Sequence, residues 1–333
     1  RRPMKEKIIR SPFFYVGDKY RLMPQLRKLF PHKISTYIEP FAGGGSSFIN
    51  TSADRYIVND INFYVVALHD MMKSYAGRID EFFQKIYDLI SRYGLSCSFK
   101  NFLVPDELKK KYEKTYYAHY NKAAYLQLRE EFNESRDILS LYLLLIYGFN
   151  HMIRFNRAGQ FNLPVGNVDF NKNVYSSICG YLHFLENNDV TFSNMDFANF
   201  LDRQAFDENA YVYFDPPYLI SDSEYNKFWD ESEERRLCFY LDELDCKGVR
   251  FGISNLIMHK GATNEIFLEW SRKYFCYDIR SNYISFNDNS VKKSSREVFV
   301  TNYAETESET VIFFNDIKKS GKDTEFSQMH IAI

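Results

Sequence analysis

The sequence predicts an α/β fold: a Rossmann-like sheet with helices on both faces, interrupted by a mainly helical insertion. Short apolar runs that end in reactive side chains, at residues 36–41, 56–60 and 210–215, read as strands of a buried, largely parallel sheet. The glycine-rich turn Gly43-Gly44-Gly45 follows the first of these runs. Residues 78–149 carry helical spacing instead, as expected of an insertion. With 333 residues, 45% of them hydrophobic, the chain can bury a large core. Its 31 Phe and 26 Tyr must be mostly core, although such rings also stack on bases.

In chain order, Leu22, Met23, Leu26, Leu29 and Phe30 recur with helical spacing, and Pro31 ends that run. A strand at 36–41 enters the glycine turn, residues 46–51 suit the start of a crossover helix, and Tyr56-Ile57-Val58-Asn59-Asp60 is a second strand. Ile79, Phe82, Phe83, Ile86, Leu89 and Ile90 mark an amphipathic helix, and 138–146 is a nearly continuous apolar one. Turn signals follow at Arg157-Ala158-Gly159-Gln160 and Val165-Gly166-Asn167. Strands return at 190–192 and 210–214. A helix opened by a capping box, Asp230 to Glu233, carries Leu237, Tyr240, Leu241 and Leu244 on one stripe. Residues 249–253 are a further strand, ended by Ser254-Asn255. A helix around Ile266, Phe267 and Trp270 and a late strand at 297–302 complete the pattern. The expected division is a core at 8–75, an insertion at 76–170, a second core part at 171–305 and an extension at 306–333 without a functional reading.

Charge, cysteines and hydropathy narrow the class. The net charge of −2 gives no global signature of nucleic-acid binding, but residues 97–129 hold seven Lys or Arg against three acids, and 271–300 hold six against three. Each stretch suits either a solvated face or a phosphate backbone. Five cysteines without close pairing favour reduced thiols and a cytoplasmic setting, and the seven His show no metal spacing with them. The amino-terminal residues lack the pattern of a secretory signal, and no apolar run reaches the roughly 18 residues of a membrane span.

Three segments carry chemistry. Glu39-Pro40-Phe41-Ala42-Gly43-Gly44-Gly45 is either a structural turn or a loop that admits a ligand close to its backbone; no Walker lysine follows it. Asp60 suits either a ribose-binding carboxylate or a helix cap. Asp215-Pro216-Pro217-Tyr218 is the most specific. An exocyclic amine is a poor nucleophile because its lone pair is delocalised into the ring; Asp215 and the Pro216 carbonyl can accept its two N–H groups and favour a pyramidal nitrogen. Tyr218 can stack on the base while the prolines restrain the backbone.

On these residues the chain resembles the Dam-type adenine methyltransferases of the alpha arrangement, particularly those of T-even bacteriophages, over about residues 11–302. The resemblance implies that Phe14-Tyr15-Val16-Gly17-Asp18-Lys19 is a cofactor segment, with Tyr15 and Lys19 near S-adenosylmethionine. The common form has Gly-Gly-Lys where this chain has Gly17-Asp18-Lys19. It further implies cofactor contacts from Phe41, Gly43, Gly45, Asp60, Asp196, Phe197 and Asp215, and catalysis by Asp215, Pro216 and Tyr218. Tyr225-Asn226-Lys227-Phe228-Trp229 and Phe251-Gly252-Ile253-Ser254-Asn255 extend the similarity, as does the order of the segments. In residues 147–166, Arg154 is the expected guanine reader, its fork meeting O6 and N7. Asn150 and Asn156 are expected to contact DNA or to fix the loop, Arg157 and Gln160 are weaker contacts, and Lys109 and Lys110 suit phosphates.

The resemblance thus implies a class I methyltransferase sheet and transfer of methyl from S-adenosylmethionine to N6 of a flipped adenine in double-stranded DNA, in 5'-GATC-3'. No metal is expected, because the sulfonium already makes the methyl electrophilic. A monomer without membrane attachment, with a restriction system as a possible partner, completes the expectation. The weaker alternatives are RNA adenine or cytosine N4 as acceptor, and a silent DNA-binding protein on the same fold.

Overall fold

The computed structural model describes residues 8–15, 17–221, 228–279 and 295–304. In chain order these form helix α1 (Met23–Leu26), strand β1 (Thr36–Glu39), α2 (Ser46–Ile49), β2 (Arg55–Asn59), α3 (Phe63–Ser74), α4 (Ile79–Tyr93), α5 (Asp106–Tyr112), α6 (Tyr116–Ser135), α7 (Ile138–Tyr147), α8 (Lys172–Asn187), β3 (Asp189–Ser193), α9 (Phe197–Asp202), β4 (Tyr211–Phe214), α10 (Glu231–Cys246), β5 (Arg250–His259), β6 (Ala262–Thr263), α11 (Glu265–Ser271), β7 (Phe275–Ile279) and β8 (Arg296–Thr301). The chain divides into two compact units: Arg1–Tyr20, Gly43–Asn50 and Asp60–Asn194 make the first, and Arg21–Ala42, Thr51–Asn59 and Met195–Ile333 the second.

The second unit is a mixed sheet, in the order β2-β1-β4-β5-β8-β7. Pairing is parallel from β2 through β5, and β8 runs antiparallel to both β5 and β7. This mostly parallel sheet with an antiparallel strand is the α/β architecture the sequence predicts. Every residue of β1 and β4 is buried, which explains why their sequences are apolar without alternation. Leu237 and Leu241 of α10 and Phe267 and Trp270 of α11 join Phe251, Ile253, Val298 and Val300 in one core. Asp230 caps α10 as expected, accepting the Glu233 N–H on Oδ1 at 2.9 Å, while the Glu233 carboxylate turns to Arg236 at 2.7 Å.

The strand expected to end at Ser254-Asn255 continues to His259. Both polar side chains are fully buried and satisfied: Ser254 Oγ lies 2.7 Å from the Tyr213 hydroxyl, and Asn255 Nδ2 donates to Glu234 at 2.7 Å. Polar residues with dedicated partners do not stop a strand. Strand β7, which the sequence reading passed over, supplies the outer partner of β8.

The first unit is mainly helical. Side chains of Asn62, Asp137 and Asn171 cap α3, α7 and α8 by accepting backbone N–H groups. Helix α7 is buried from Ser140 through Tyr147, so it is apolar on all sides. Three buried tyrosines of this unit bond their hydroxyls to carbonyls: Tyr142 to Pro12, Tyr147 to Ser96, and Tyr125 to Leu163. Among the described residues no helix is long and apolar enough to cross a membrane.

Gly252 of β5 explains one residue of the motif noted above. A β-carbon there would overlap the Tyr211 hydroxyl and the Phe299 ring. Gly252→Ala should therefore destabilise the protein by about 1–3 kcal/mol through overpacking. Urea unfolding checks this; an unchanged midpoint would show that the two rings yield freely.

Candidate active site

In the first unit, the glycine turn is held from below. Gly43 and Gly45 adopt φ of 50° and 87°, the left-handed region that favours glycine, and Gly45 leads directly into α2. The Gly43 N–H donates to Asp60 Oδ2 at 2.9 Å, while the Asn62 N–H donates to Asp60 Oδ1 at 2.8 Å. Burial raises the Asp60 carboxyl above its ordinary range, and these two N–H groups oppose the rise. The cap of α3 belongs to Asn62, whose side chain accepts from the Tyr64 N–H at 3.0 Å. Asp60 is thus not the helix cap that one reading of the sequence allowed.

His69, only 1% exposed, holds the other side of the turn. Its Nε2 lies 2.8 Å from the Gly43 carbonyl and its Nδ1 lies 2.6 Å from the Tyr181 hydroxyl. A carbonyl only accepts, so Nε2 carries the proton and Nδ1 accepts from Tyr181. Burial lowers the imidazole to a pKa of about 4, so it is neutral near pH 7.

Tyr15 packs on Gly43 and Gly44, and the Ser11 hydroxyl donates to the Gly44 carbonyl. Lys19 is buried, with Nζ donating to the Gly17 carbonyl at 3.2 Å. Asp18, the departure from the common Gly-Gly-Lys form, accepts from the Tyr20 N–H at 2.9 Å and so caps the short turn Lys19–Arg21 that carries the lysine. Burial raises its carboxyl against the pull of Ser46, the Tyr20 N–H, Lys19 and Arg10.

The second unit holds the remaining candidates. Phe41 contacts Phe197 at 5.2 Å and Trp229 edge-on at 5.7 Å between ring centroids. Asp196 caps α9 through the Ala198 N–H and pairs bidentately with Arg236, whose guanidinium lies 4.5 Å over the Phe197 ring. After β4 comes Asp215-Pro216-Pro217-Tyr218, with Pro216 buried and Asp215 and Tyr218 half-buried. The Tyr218 hydroxyl lies 2.6 Å from Glu297 Oε1 and 3.3 Å from Asp215 Oδ1.

The DNA candidates all lie in the first unit. Phe155 and Phe161 bridge the base of a hairpin whose tip exposes Arg157 and Gln160. Asn156 Oδ1 accepts the N–H groups of Ala158 and Gln160, so this asparagine fixes the turn. Arg154 donates from Nε to Asn162 Oδ1 at 2.9 Å and from an η nitrogen to the Asn162 carbonyl at 2.7 Å. Asn150 is exposed with φ of 53°, next to Phe149, which is 52% exposed. Lys109 and Lys110 stand on a different element, α5, where Lys109 faces Asp106 at 3.6 Å. Val16, Tyr225 to Lys227, residues 280–294 of the second basic stretch and the extension from 306 lie outside the described residues.

Residues 15–285 match the family of D12 class N6 adenine-specific DNA methyltransferases. The chain belongs to this family. It is 35% identical over 303 residues to the Type II methyltransferase M.FokI of Planomicrobium okeanokoites, covering 89% of this chain and 43% of that protein. It is 32% identical over 309 residues to Modification methylase StsI of Streptococcus sanguinis, covering 90% and 43%. With the DNA adenine methylase of Escherichia coli K12 it shares 33% over 211 residues, 61% of this chain and 63% of that one. The chain thus spans less than half the length of M.FokI and StsI. None of the three comes from a bacteriophage, so they lend the expected phage kinship no support.

D12 class membership implies S-adenosylmethionine, and the residues present fit it. Asp60 holds two N–H groups and retains lone-pair positions suited to ribose hydroxyls. Ile61, 70% exposed beside it, offers an apolar surface to a purine. Sequence reasoning assigned no role to Ile61, His69, Phe149, Trp229, Arg236 or Glu297, although Phe149 and Trp229 fall in segments that carry the resemblance. Ile61 adjoins Asp60 and Phe149 adjoins Asn150, so adjacency was a usable signal for those two; the others act through partners distant in the chain.

His69 gives a pH test with a fixed sign. Its folded pKa lies below the ordinary 6.5, so its contribution to stability is complete above 6.5 and is lost as pH falls toward 4, by about 3 kcal/mol in all. Urea unfolding between pH 7.5 and 4.5 should show that loss in the wild type and a shallower one in His69→Gln. Parallel pH profiles would refute the assignment.

Proposed function

We propose that the protein transfers a methyl group from S-adenosylmethionine to N6 of an adenine in double-stranded DNA. The observation that carries this reading is Asp215-Pro216-Pro217-Tyr218 at the carboxyl end of a buried parallel strand, with Pro216 covered and Asp215 half-exposed. On the family resemblance, Tyr15, Lys19, Phe41, Gly43, Gly45, Asp60, Asp196, Phe197 and Asp215 are the residues proposed to hold the cofactor. When bound, that cofactor supplies a methyl made electrophilic by its sulfonium. Asp215 and the Pro216 carbonyl accept the two N6 hydrogens and keep the nitrogen lone pair out of the ring, while Tyr218 stacks on the rotated base. Burial of Pro216 restrains the backbone that carries these groups before substrate arrives, which lowers the reorganisation needed during reaction.

Residues 76–170 form the proposed recognition module. Arg154 reads guanine, Asn150 contacts DNA or fixes the loop, Arg157 and Gln160 extend from the hairpin, and Lys109 and Lys110 meet phosphates. Asn156 contributes by fixing the turn. The resemblance to Dam-type enzymes and the identity with the Escherichia coli DNA adenine methylase support GATC as the first site to test. The names of M.FokI and StsI, a type II methyltransferase and a modification methylase, support service beside a restriction enzyme.

Labelled methyl transfer to duplexes bearing GATC, single-base variants of it or unrelated sequence, followed by nucleoside identification, tests the reading. Label on N6-adenine in GATC alone would support chemistry and site together. Adenine label across variants would keep the chemistry and overturn the site, and label on cytosine would reject the adenine assignment.

Three substitutions separate the roles. Asp215→Ala should lower transfer by about a thousandfold, the scale of losing one preorganised polar contact. Arg154→Ala should cost about 1–3 kcal/mol of discrimination at one base pair, whereas Lys110→Ala should weaken all duplexes alike and flatten the salt dependence. Equal loss at every sequence for Arg154→Ala would reassign it to the backbone.

A further inference from the structure

Glu297 is a buried carboxylate to which the proposed chemistry gives no role. It lies on β8, between Leu256 of β5 and Ile279 of β7, and is 2% exposed. A carboxylate so deep in a sheet is costly to bury unless polar partners compensate. One partner is the hydroxyl of Tyr218, 2.6 Å from Glu297 Oε1 and 3.3 Å from Asp215 Oδ1. A phenol has one proton to donate, and the shorter contact takes it. The Tyr218 oxygen therefore turns a lone pair toward Asp215.

We propose that Glu297 is a positioning residue for methyl transfer, acting through the Tyr218 hydroxyl. The proposal rests on the methyltransferase reading above and deepens it. By holding the phenolic proton, Glu297 prevents Tyr218 from donating to Asp215, so this hydroxyl does not compete with the N6 hydrogens for Asp215 Oδ1. When N6 gives up a proton, that proton moves to Asp215 Oδ1, where Tyr218 Oη is placed to accept a hydrogen bond from the new O–H. The same link fixes the plane in which the Tyr218 ring meets the base. The other buried carboxylate tied to β5, Glu234, is engaged by Asn255, Asn264 and Trp229, and so is committed to a different network. Tyr213 on β4 is paired with Ser254.

Glu297→Gln keeps the shape but removes the charge, freeing the Tyr218 proton to turn to Asp215. Tyr218→Phe keeps the ring but removes the hydroxyl. Single-turnover methyl transfer against pH, on a duplex that wild type methylates, is the primary measurement. Each variant should lose about 10- to 100-fold in transfer rate, the low end of proton-handling contributions, with the KM for DNA little changed. The double variant should lose no more than the worse single one, because both remove one link.

In Glu297→Gln the acid limb of the profile should move to lower pH by about one unit, since a like charge is lost and a donor gained beside Asp215. Tyr218→Phe should not show that downward move. Fluorescence of 2-aminopurine at the target position, in the presence of S-adenosylhomocysteine, reports base rotation without turnover and should differ in intensity between Glu297→Gln and wild type. Thermal unfolding identifies a variant that fails to fold, in which case Glu297→Asp replaces it and should recover activity only in part.

Wild-type rate and profile in Tyr218→Phe, or additive losses in the double variant, would overturn the proposal while leaving the methyltransferase reading intact. A wild-type protein that binds the cofactor yet labels no duplex would overturn both.

Discussion

Asn59 ties together the carboxyl edge of the parallel strands. Buried at the end of β2, it donates from Nδ2 to the carbonyls of Pro40 and Met195, at 3.0 and 2.9 Å, and accepts the Met195 N–H on Oδ1 at 3.0 Å. One side chain therefore sets the exit of β1, which leads to Phe41, against the segment that starts Asp196 and α9. Because β2, β1 and β4 are parallel and adjacent, their carboxyl ends share one edge. Asp215 leaves β4 at that edge, and Asp60 follows Asn59 directly. The edge of such a sheet is where backbone groups are unpaired and loops begin, which is why reactive residues collect there. Loss of the Asn59 amide would leave buried carbonyls unsatisfied at several kilojoules each and would loosen the loops that carry the candidate site.

The sequence reading found the residues at strand ends because strand, turn and acid occur together in the chain. Asp60, Gly43 and Asp215 each follow an apolar run, and the Asp230 cap is separated from Glu233 by a fixed helical interval. What supports those residues was not legible. His69 meets Gly43 after 26 residues and Tyr181 after 112, and Glu297 meets Tyr218 after 79. No local pattern distinguishes such a histidine or glutamate from a surface one. The missed length of β5 has the same origin: Ser254 and Asn255 look like a strand end until their partners, Tyr213 and Glu234, are known. Asp18 is the opposite case. It departs from a familiar local form, yet the structure uses it as a local cap, so the lysine after it is still held.

The high aromatic content follows from how the polar groups are satisfied. Tyr125, Tyr142, Tyr147 and Tyr181 are fully buried, and each places its hydroxyl on a carbonyl or on His69. A tyrosine in such a position fills volume as phenylalanine does and closes a backbone group that a helix end or irregular turn leaves open. The same economy appears at Trp229, whose ring packs on Phe41 while its N–H reaches Glu234. Aromatic side chains here both fill the core and hold irregular segments, so their number alone is no sign of base stacking.

Arg154 and the lysines of α5 differ in how much order they carry before DNA arrives. Arg154 is held at two points by Asn162 on the opposite arm of the hairpin, and Asn156 closes the turn beyond it. A guanidinium fixed in this way has already lost much of its rotamer freedom; as the proposed guanine reader it would lose less on meeting a base, and a misplaced base edge could not be accommodated by swinging the side chain. Lys110 is exposed on a short helix. Its flexible stem can follow a phosphate whatever the sequence beside it, which suits affinity and not discrimination. This contrast in side-chain freedom is what gives physical content to separating a reading residue from backbone contacts within one unit whose charge alone distinguishes neither.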